Sequence, residues 1–140
     1  MRERRKFQPL TSSNVCQIYE LLHKEGLVAF PITEDARKKI DALVASITSA
    51  YFGAHIYATP ELKAVAYLYF IFKNHPFTDG NKRTASLAFE TVCKINKLKT
   101  KYSVWSITLD QIVVFIEKVR ERDHQKVITK LARLIFGNNG

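Results

Sequence analysis

One segment near the middle of the chain, residues 62–72, is apolar on nearly every side when it is drawn as a helix. Thr59-Pro60-Glu61 stands before it and supplies a side chain that can cap a helix, a proline suited to the first helical position and an acid for the first turn. A helix without a polar face has to be covered by other elements, and this run is too short to span a bilayer. The segment therefore predicts a central helix, ending near Lys73, around which the rest of the chain packs.

Apolar residues at helical spacing predict further helices on both sides of this segment. They begin near Ser12, Thr33, Asn81, Thr108 and Asp123. Ser12-Ser13-Asn14 offers capping oxygens for the first of them and Gly26 its end, while the helix from Asn81 is expected to reach about Lys97. Only residues 102–107 favour extended chain, and residues 51–58 predict an exposed loop or short hairpin. With no repeat or linker visible, residues 1–140 are predicted to form a single all-α domain.

The composition is that of a globular protein. Hydrophobic residues make up 46% and charged residues 25% of the 140 residues, enough to build a core without a disulfide or a structural metal. Cys16 and Cys93 both lie on apolar helix faces and are predicted to be buried free thiols. The basic N-terminus is not followed by an apolar stretch, so we expect no secretory signal, no membrane partner and a cytoplasmic protein.

The formal net charge of +9, from 22 Lys and Arg against 13 Asp and Glu, predicts attraction to polyanions. A nucleic acid, a nucleotide or an acidic protein could each be the partner that this positive charge attracts. No recognition-helix pattern and no aromatic platform interleaved with basic residues supports nucleic acid, which we therefore do not expect as a partner. The four histidines share no zinc-ligand spacing, which argues against a metal enzyme built on them: His23, His55, His75 and His124.

A polar loop between two predicted core helices, residues 74–80, is the candidate site. Gly80 and Asn81 stand where the next helix begins, so unpaired backbone N–H groups and the positive end of the helix dipole converge there. Gly80 would let a phosphate approach the backbone closely. Lys82 and Arg83 put two cations in the first turn, where they oppose the dipole, and this predicts an anionic ligand.

The same loop carries a base and a metal ligand. His75 can accept a proton near neutral pH, and the carboxylate of Asp79 suits Mg²⁺ bridged to nucleotide phosphates. Phe77, flanked by polar residues, is predicted to insert into the core and anchor the loop. Each residue alone has an ordinary explanation in a turn or on a solvated surface. Together, in this order, they predict phosphoryl or nucleotidyl chemistry.

The stretch from His75 to Ala85, HPFTDGNKRTA, resembles the signature of the Fic/Doc superfamily, H-x-F-x-[DE]-G-N-[GK]-R, at every fixed position. It is most similar to the Doc (death-on-curing) branch. The helix before the motif, its Thr59-Pro60-Glu61 start and residues 107–112 are also similar to Doc proteins, so the resemblance covers nearly the whole chain. It implies a compact all-α helical bundle.

The resemblance also implies roles for the motif residues. His75 would be the general base that deprotonates a target hydroxyl, and Asp79 would hold Mg²⁺ against the phosphates of ATP or another nucleotide. Arg83 would clamp a phosphate oxygen, and residues 51–58 would be the flap that aligns the target segment. The nucleotide-binding residues would be Gly80, Asn81, Lys82, Arg83 and Thr84.

Two departures from the Fic pattern bear on which group is transferred. Fic proteins that transfer AMP usually have glycine where this chain has Lys82, and a second arginine where it has Ser86. Doc proteins share both departures, and this similarity implies transfer of the γ-phosphate of ATP. It also implies that the target is elongation factor Tu and that the reaction blocks translation. AMP transfer to a protein hydroxyl is the alternative, and a non-catalytic basic module that binds nucleic acid is the second alternative.

Many Fic proteins restrain themselves with a helix that reads [ST]-x-x-x-E-[GN]. In this chain only Glu25 is followed by Gly or Asn, and the residue four before it is Leu21. The self-inhibitory motif is therefore absent from the sequence. Similarity to toxin–antitoxin pairs of the Doc type implies an antitoxin that inhibits in trans.

Overall fold

The computed structural model describes residues 6–48, 57–101 and 124–137, together with Gln111, Ile116 and Lys118. Within these ranges the chain forms five α-helices and no strand, which confirms the predicted all-α class. The helices are α1 (Ser12–Lys24), α2 (Glu34–Thr48), α3 (Pro60–Asn74), α4 (Asn81–Ile95) and α5 (His124–Phe136).

The central helix is α3. From Ala64 to Tyr69 every residue is buried, and Ile71 and Phe72 are buried beyond them. Helices α4, α5 and α2 all pack against α3, and α4 does so most extensively. Residues 62–72, which lack a polar face, are therefore covered by the surrounding helices, as predicted, and this removes their apolar surface from water.

The predicted cap of α1 is wrong by one residue. The cap is Thr11, whose Oγ1 accepts a hydrogen bond from the Asn14 backbone N–H at 3.1 Å, while Asn14 Oδ1 accepts from the Thr11 N–H at 2.9 Å. This reciprocal pair is a capping box with Asn in place of the usual Glu or Gln. Gly26 follows the end of the helix at φ 77°, in the conformation that glycine adopts most readily.

The other helix ends agree more closely with the sequence. Thr33 Oγ1 accepts from the Ala36 N–H at 3.0 Å, and Thr59 Oγ1 accepts from the Leu62 N–H at 3.1 Å with Pro60 in the first position of α3. Helix α4 ends at Ile95, two residues before the predicted end, because Lys97 adopts a left-handed conformation with φ 55°.

Cys16 and Cys93 are buried free thiols, as predicted. None of the helices that the structure describes is long and apolar enough to cross a membrane. The predicted extended segment 102–107 and the cap at Asp123 lie outside the described residues, as do most of the helix predicted from Thr108 and most of the predicted flap 51–58. The single-domain organisation stays a prediction.

Candidate functional site

Residues 75–80 join α3 to α4, the two helices with the most extensive mutual packing. Pro76 and Phe77 are buried, whereas His75, Thr78 and Asp79 are exposed. The loop therefore has an apolar part that lies in the core and a polar part that faces outward. This division leaves the imidazole of His75 and the carboxylate of Asp79 accessible to a ligand.

The aromatic ring of Phe77 lies in the core, as an anchor requires, with 5% of the residue exposed. It stacks on the ring of Tyr19 from α1, with 4.1 Å between ring centroids and 14° between ring planes. Tyr19 is 1% exposed, and its hydroxyl donates a hydrogen bond to the Phe30 carbonyl at 2.7 Å. The loop is thus attached to a helix far away in sequence.

Asn81 also secures the loop from inside. The residue is 7% exposed, and its Oδ1 accepts from the Phe77 N–H at 3.0 Å while its Nδ2 donates to the Phe77 carbonyl at 2.8 Å. The same Nδ2 lies 3.5 Å from His75 Nδ1, at the outer limit of a hydrogen bond. Its side chain therefore satisfies both backbone groups of the buried Phe77. The predicted phosphate contact of Asn81 stays a prediction, and its side chain holds the loop.

Gly80 adopts φ 79° at the N-cap of α4. A Cβ added there would lie 2.3 Å from Val28 Cγ1 and 3.6 Å from Tyr19 Cε2. Glycine is therefore needed for its backbone conformation and for the close packing of the α1–α2 segment. The predicted close approach of a phosphate to Gly80 stays a prediction, and packing against Val28 by itself already requires glycine here.

His75 is the residue that ends α3. Its backbone lies in the left-handed region at φ 46° and ψ 58°, and its ring is 5.6 Å from the ring of Phe72. Residues other than glycine enter this region seldom, and histidine does so more often than most. Such backbone conformations concentrate at functional sites, where the surrounding structure holds them in place. The exposed imidazole is accordingly set at a defined point on the rim of the loop.

The start of α4 has the character of an anion site. The N-cap residue Gly80 has no side chain that could bond the backbone N–H groups of the first turn, and no acidic residue stands in that turn. Lys82 and Arg83 are both exposed there, and Arg83 has no salt bridge within the part of the chain that the structure describes. The backbone N–H groups of the first turn and two cationic residues thus lie at the positive end of the helix dipole.

Two other positions near the motif are buried. Thr84 is 0% exposed, and its Oγ1 has no hydrogen-bond partner among the described residues. The predicted phosphate contact of Thr84 receives no support from this placement, because the side chain offers no accessible atom. Ser86 is 4% exposed, and its Oγ donates to the Lys82 carbonyl at 2.8 Å within α4.

Residues 9–93 match the family model described as Fic/DOC family, a span that runs from just before α1 into the last turn of α4 and contains the whole loop. The chain belongs to the Fic/DOC family. No curated protein and no solved structure matches it. Proteins of the Fic/DOC family generally transfer nucleotide-derived groups to other proteins, so this chain is a protein-modifying enzyme of the Fic type.

Sequence reasoning missed the supporting residues of this Fic/DOC loop, although it found the exposed ones. Tyr19 and Val28 lie about fifty residues before the motif and carry no local signal of their contact with it. The role of Asn81 could have been inferred, because a side-chain amide four residues after a buried phenylalanine can reach back to that residue's backbone groups.

Proposed function

We propose that this Fic/DOC protein transfers the γ-phosphate of ATP to a hydroxyl group of a target protein, elongation factor Tu in the Doc resemblance. In this proposal it acts as a toxin that blocks translation and is inhibited in trans by an antitoxin. The observation that carries the choice of phosphate over AMP is the chemistry at two positions of α4, Lys82 and Ser86.

Ser86 occupies the position where AMP-transferring Fic proteins carry a second arginine. Here the residue is buried, and its hydroxyl is bonded back to the carbonyl of Lys82. The position therefore supplies no cation for the terminal phosphate of ATP. Lys82 adds a side chain beside the first-turn N–H groups, where the AMP-transferring proteins have glycine. Both features disfavour the nucleotide orientation in which the α-phosphorus is attacked.

In the proposed reaction the imidazole of His75 accepts the proton of the target hydroxyl as its oxygen attacks the γ-phosphorus. A new O–P bond forms, the bond from the γ-phosphorus to the bridging oxygen breaks, and ADP leaves with that electron pair. The exposed position of His75 on the loop rim allows a protein substrate to reach it. Arg83 and the first-turn N–H groups of α4 stabilise the negative charge that spreads over the transferred group.

The donor set fits a magnesium ion shared with the substrate. Asp79 is the only carboxylate in residues 75–83, and no group of three ligand-type side chains exists among the described residues. Mg²⁺ is usually held by one or two carboxylates together with substrate phosphates and water, so a single exposed Asp79 suffices. When bound, the ion would neutralise charge on the phosphates of ATP.

The decisive experiment is label transfer. The protein is incubated with Mg²⁺, elongation factor Tu and ATP labelled at either the γ- or the α-phosphate. The inactive variant is His75→Asn, chosen over alanine because asparagine tolerates the left-handed backbone at this position. The control is Thr78→Ala, which removes an exposed side chain from the same loop.

Label from the γ-phosphate alone, lost in His75→Asn and retained in Thr78→Ala, is the expected result. Label from the α-phosphate would mean AMP transfer and would contradict the argument from Lys82 and Ser86. The transferase proposal would be contradicted if the folded protein transferred no label from the γ- or the α-phosphate, both to the purified factor and to proteins of a bacterial lysate. A salt-dependent affinity for DNA would then favour the nucleic-acid-binding alternative.

A further inference from the structure

Helix α1 contacts the catalytic loop through Tyr19. The Tyr19 ring stacks on Phe77, and its Cε2 lies 3.6 Å from the point where a Cβ on Gly80 would be. A single buried side chain therefore borders both ends of the segment 77–80. This segment includes Asp79 and leads directly into the first turn of α4.

The Tyr19 ring is itself held in place. Its hydroxyl donates to the Phe30 carbonyl at 2.7 Å, and this bond links α1 to the segment that precedes α2. Val28 of the same segment packs against Gly80. The bond to Phe30 fixes the hydroxyl end of the ring, so the ring can act as a rigid surface for Phe77 to stack on.

Asp79 lies within electrostatic reach of Tyr19. Burial raises the pKa of the Tyr19 phenol, and the negative charge of Asp79 raises it further. Asp79 also lies two residues after Phe77, whose ring stacks on Tyr19.

The two ends of the loop depend on different helices. His75 is the C-cap of α3, and its position follows that helix. The segment 77–80 is held by the Asn81 side chain at the start of α4 and by the stack of Phe77 on Tyr19 of α1. We propose that Tyr19 is a positioning residue: its stack on Phe77 sets the distance between the base His75 and the phosphate-binding end of the loop at Asp79 and Gly80. This inference rests on the proposed phosphate transfer.

The test uses three variants of the full chain. Tyr19→Leu keeps an apolar side chain but removes the stacked ring, and Tyr19→Phe keeps the ring but removes the bond to Phe30. Tyr67→Leu is the matched control, because Tyr67 is equally buried and its hydroxyl also donates to a backbone carbonyl, that of Leu10 at 2.7 Å, outside the loop. Thermal melting first defines a temperature at which all three variants are folded.

At that temperature kcat and KM for transfer are measured over a range of Mg²⁺ concentrations. We expect Tyr19→Leu to lower kcat/KM by about a hundredfold, the size of effect that a displacement of roughly 1 Å produces in a reacting geometry. We also expect it to raise the Mg²⁺ concentration needed for half-maximal rate. Tyr19→Phe should restore most of the rate, and Tyr67→Leu should keep it. Equal losses in the two leucine variants, or none in Tyr19→Leu, would overturn the proposal.

Hydrogen exchange provides a readout that needs no activity. The amide of Phe77, which is bonded to Asn81 Oδ1, should exchange faster in Tyr19→Leu and at the wild-type rate in Tyr19→Phe and Tyr67→Leu. If the wild-type protein transfers no label, the proposed function fails while this comparison still decides whether Tyr19 holds the loop. Unchanged exchange at Phe77 in Tyr19→Leu would refute that role.

Discussion

Replacing Gly80 with alanine tests the packing of the loop directly. Two costs arise from the structure. A residue with a Cβ at φ 79° is strained by about 1–2 kcal/mol. The new Cβ would also lie 2.3 Å from Val28 Cγ1, far inside van der Waals contact, and relieving such overpacking costs about 1–3 kcal/mol. We therefore expect Gly80→Ala to lower the free energy of unfolding by about 2–5 kcal/mol.

Gly26 provides the control for this substitution. Its φ of 77° is nearly the same, but a Cβ there meets nothing within 4 Å. Gly26→Ala should therefore cost only the backbone term, about 1–2 kcal/mol. Urea unfolding followed by the helical circular dichroism signal gives both values, and their difference measures the contact with Val28.

A double-mutant cycle completes the argument. Val28→Ala alone should destabilise the protein by leaving a cavity. In the Gly80→Ala background it should instead relieve the clash, with a coupling energy of about 1–3 kcal/mol. Equal losses in Gly80→Ala and Gly26→Ala, or a coupling energy near zero, would refute the reasoning that Val28 and the backbone of Gly80 are in direct contact.

Two further predictions follow from buried polar groups. Asn81→Ala should lower the free energy of unfolding by about 1–3 kcal/mol, because both backbone groups of Phe77 lose their hydrogen-bond partner. Hydrogen exchange at the Phe77 amide should also become faster, and an unchanged exchange rate would contradict this prediction. Burial raises the pKa of Tyr67 from 10.0 to about 12. The folded state thus holds this proton more tightly than the unfolded state does. This contributes about 3 kcal/mol to the free energy of unfolding below pH 10, and the contribution should be lost as the pH rises from 10 through 12. Urea midpoints across that range should fall less steeply in Tyr67→Phe, and an identical slope would contradict the assignment.

Much of the site could be predicted from sequence because the motif is contiguous. His75, Asp79 and Arg83 are polar types in a fixed order, and Phe77 is apolar among polar neighbours, so local spacing was enough to expect an exposed base and a buried anchor. Helix α3 was equally predictable, because an all-apolar helix of this length can only be covered by others.

The one-residue error in the cap of α1 has a local cause. The cap of α1 was placed too late because its capping box pairs Thr11 with Asn14 rather than with the expected Glu or Gln. Thr84 is buried, and its predicted phosphate contact stays a prediction. Its burial depends on how α4 packs on its neighbours, which a motif does not encode.

Residue type and periodicity along a few turns were enough to predict that the chain is helical and that α3 is central, and the contiguous motif was enough to predict which side chains take part in the chemistry. The tertiary structure decided what holds those side chains in place. Tyr19 and Val28 reach the loop only because α1 packs beside α4, and this contact makes glycine necessary at position 80. Contacts between residues about fifty positions apart depend on the packing of whole helices, so no local sequence pattern predicts them.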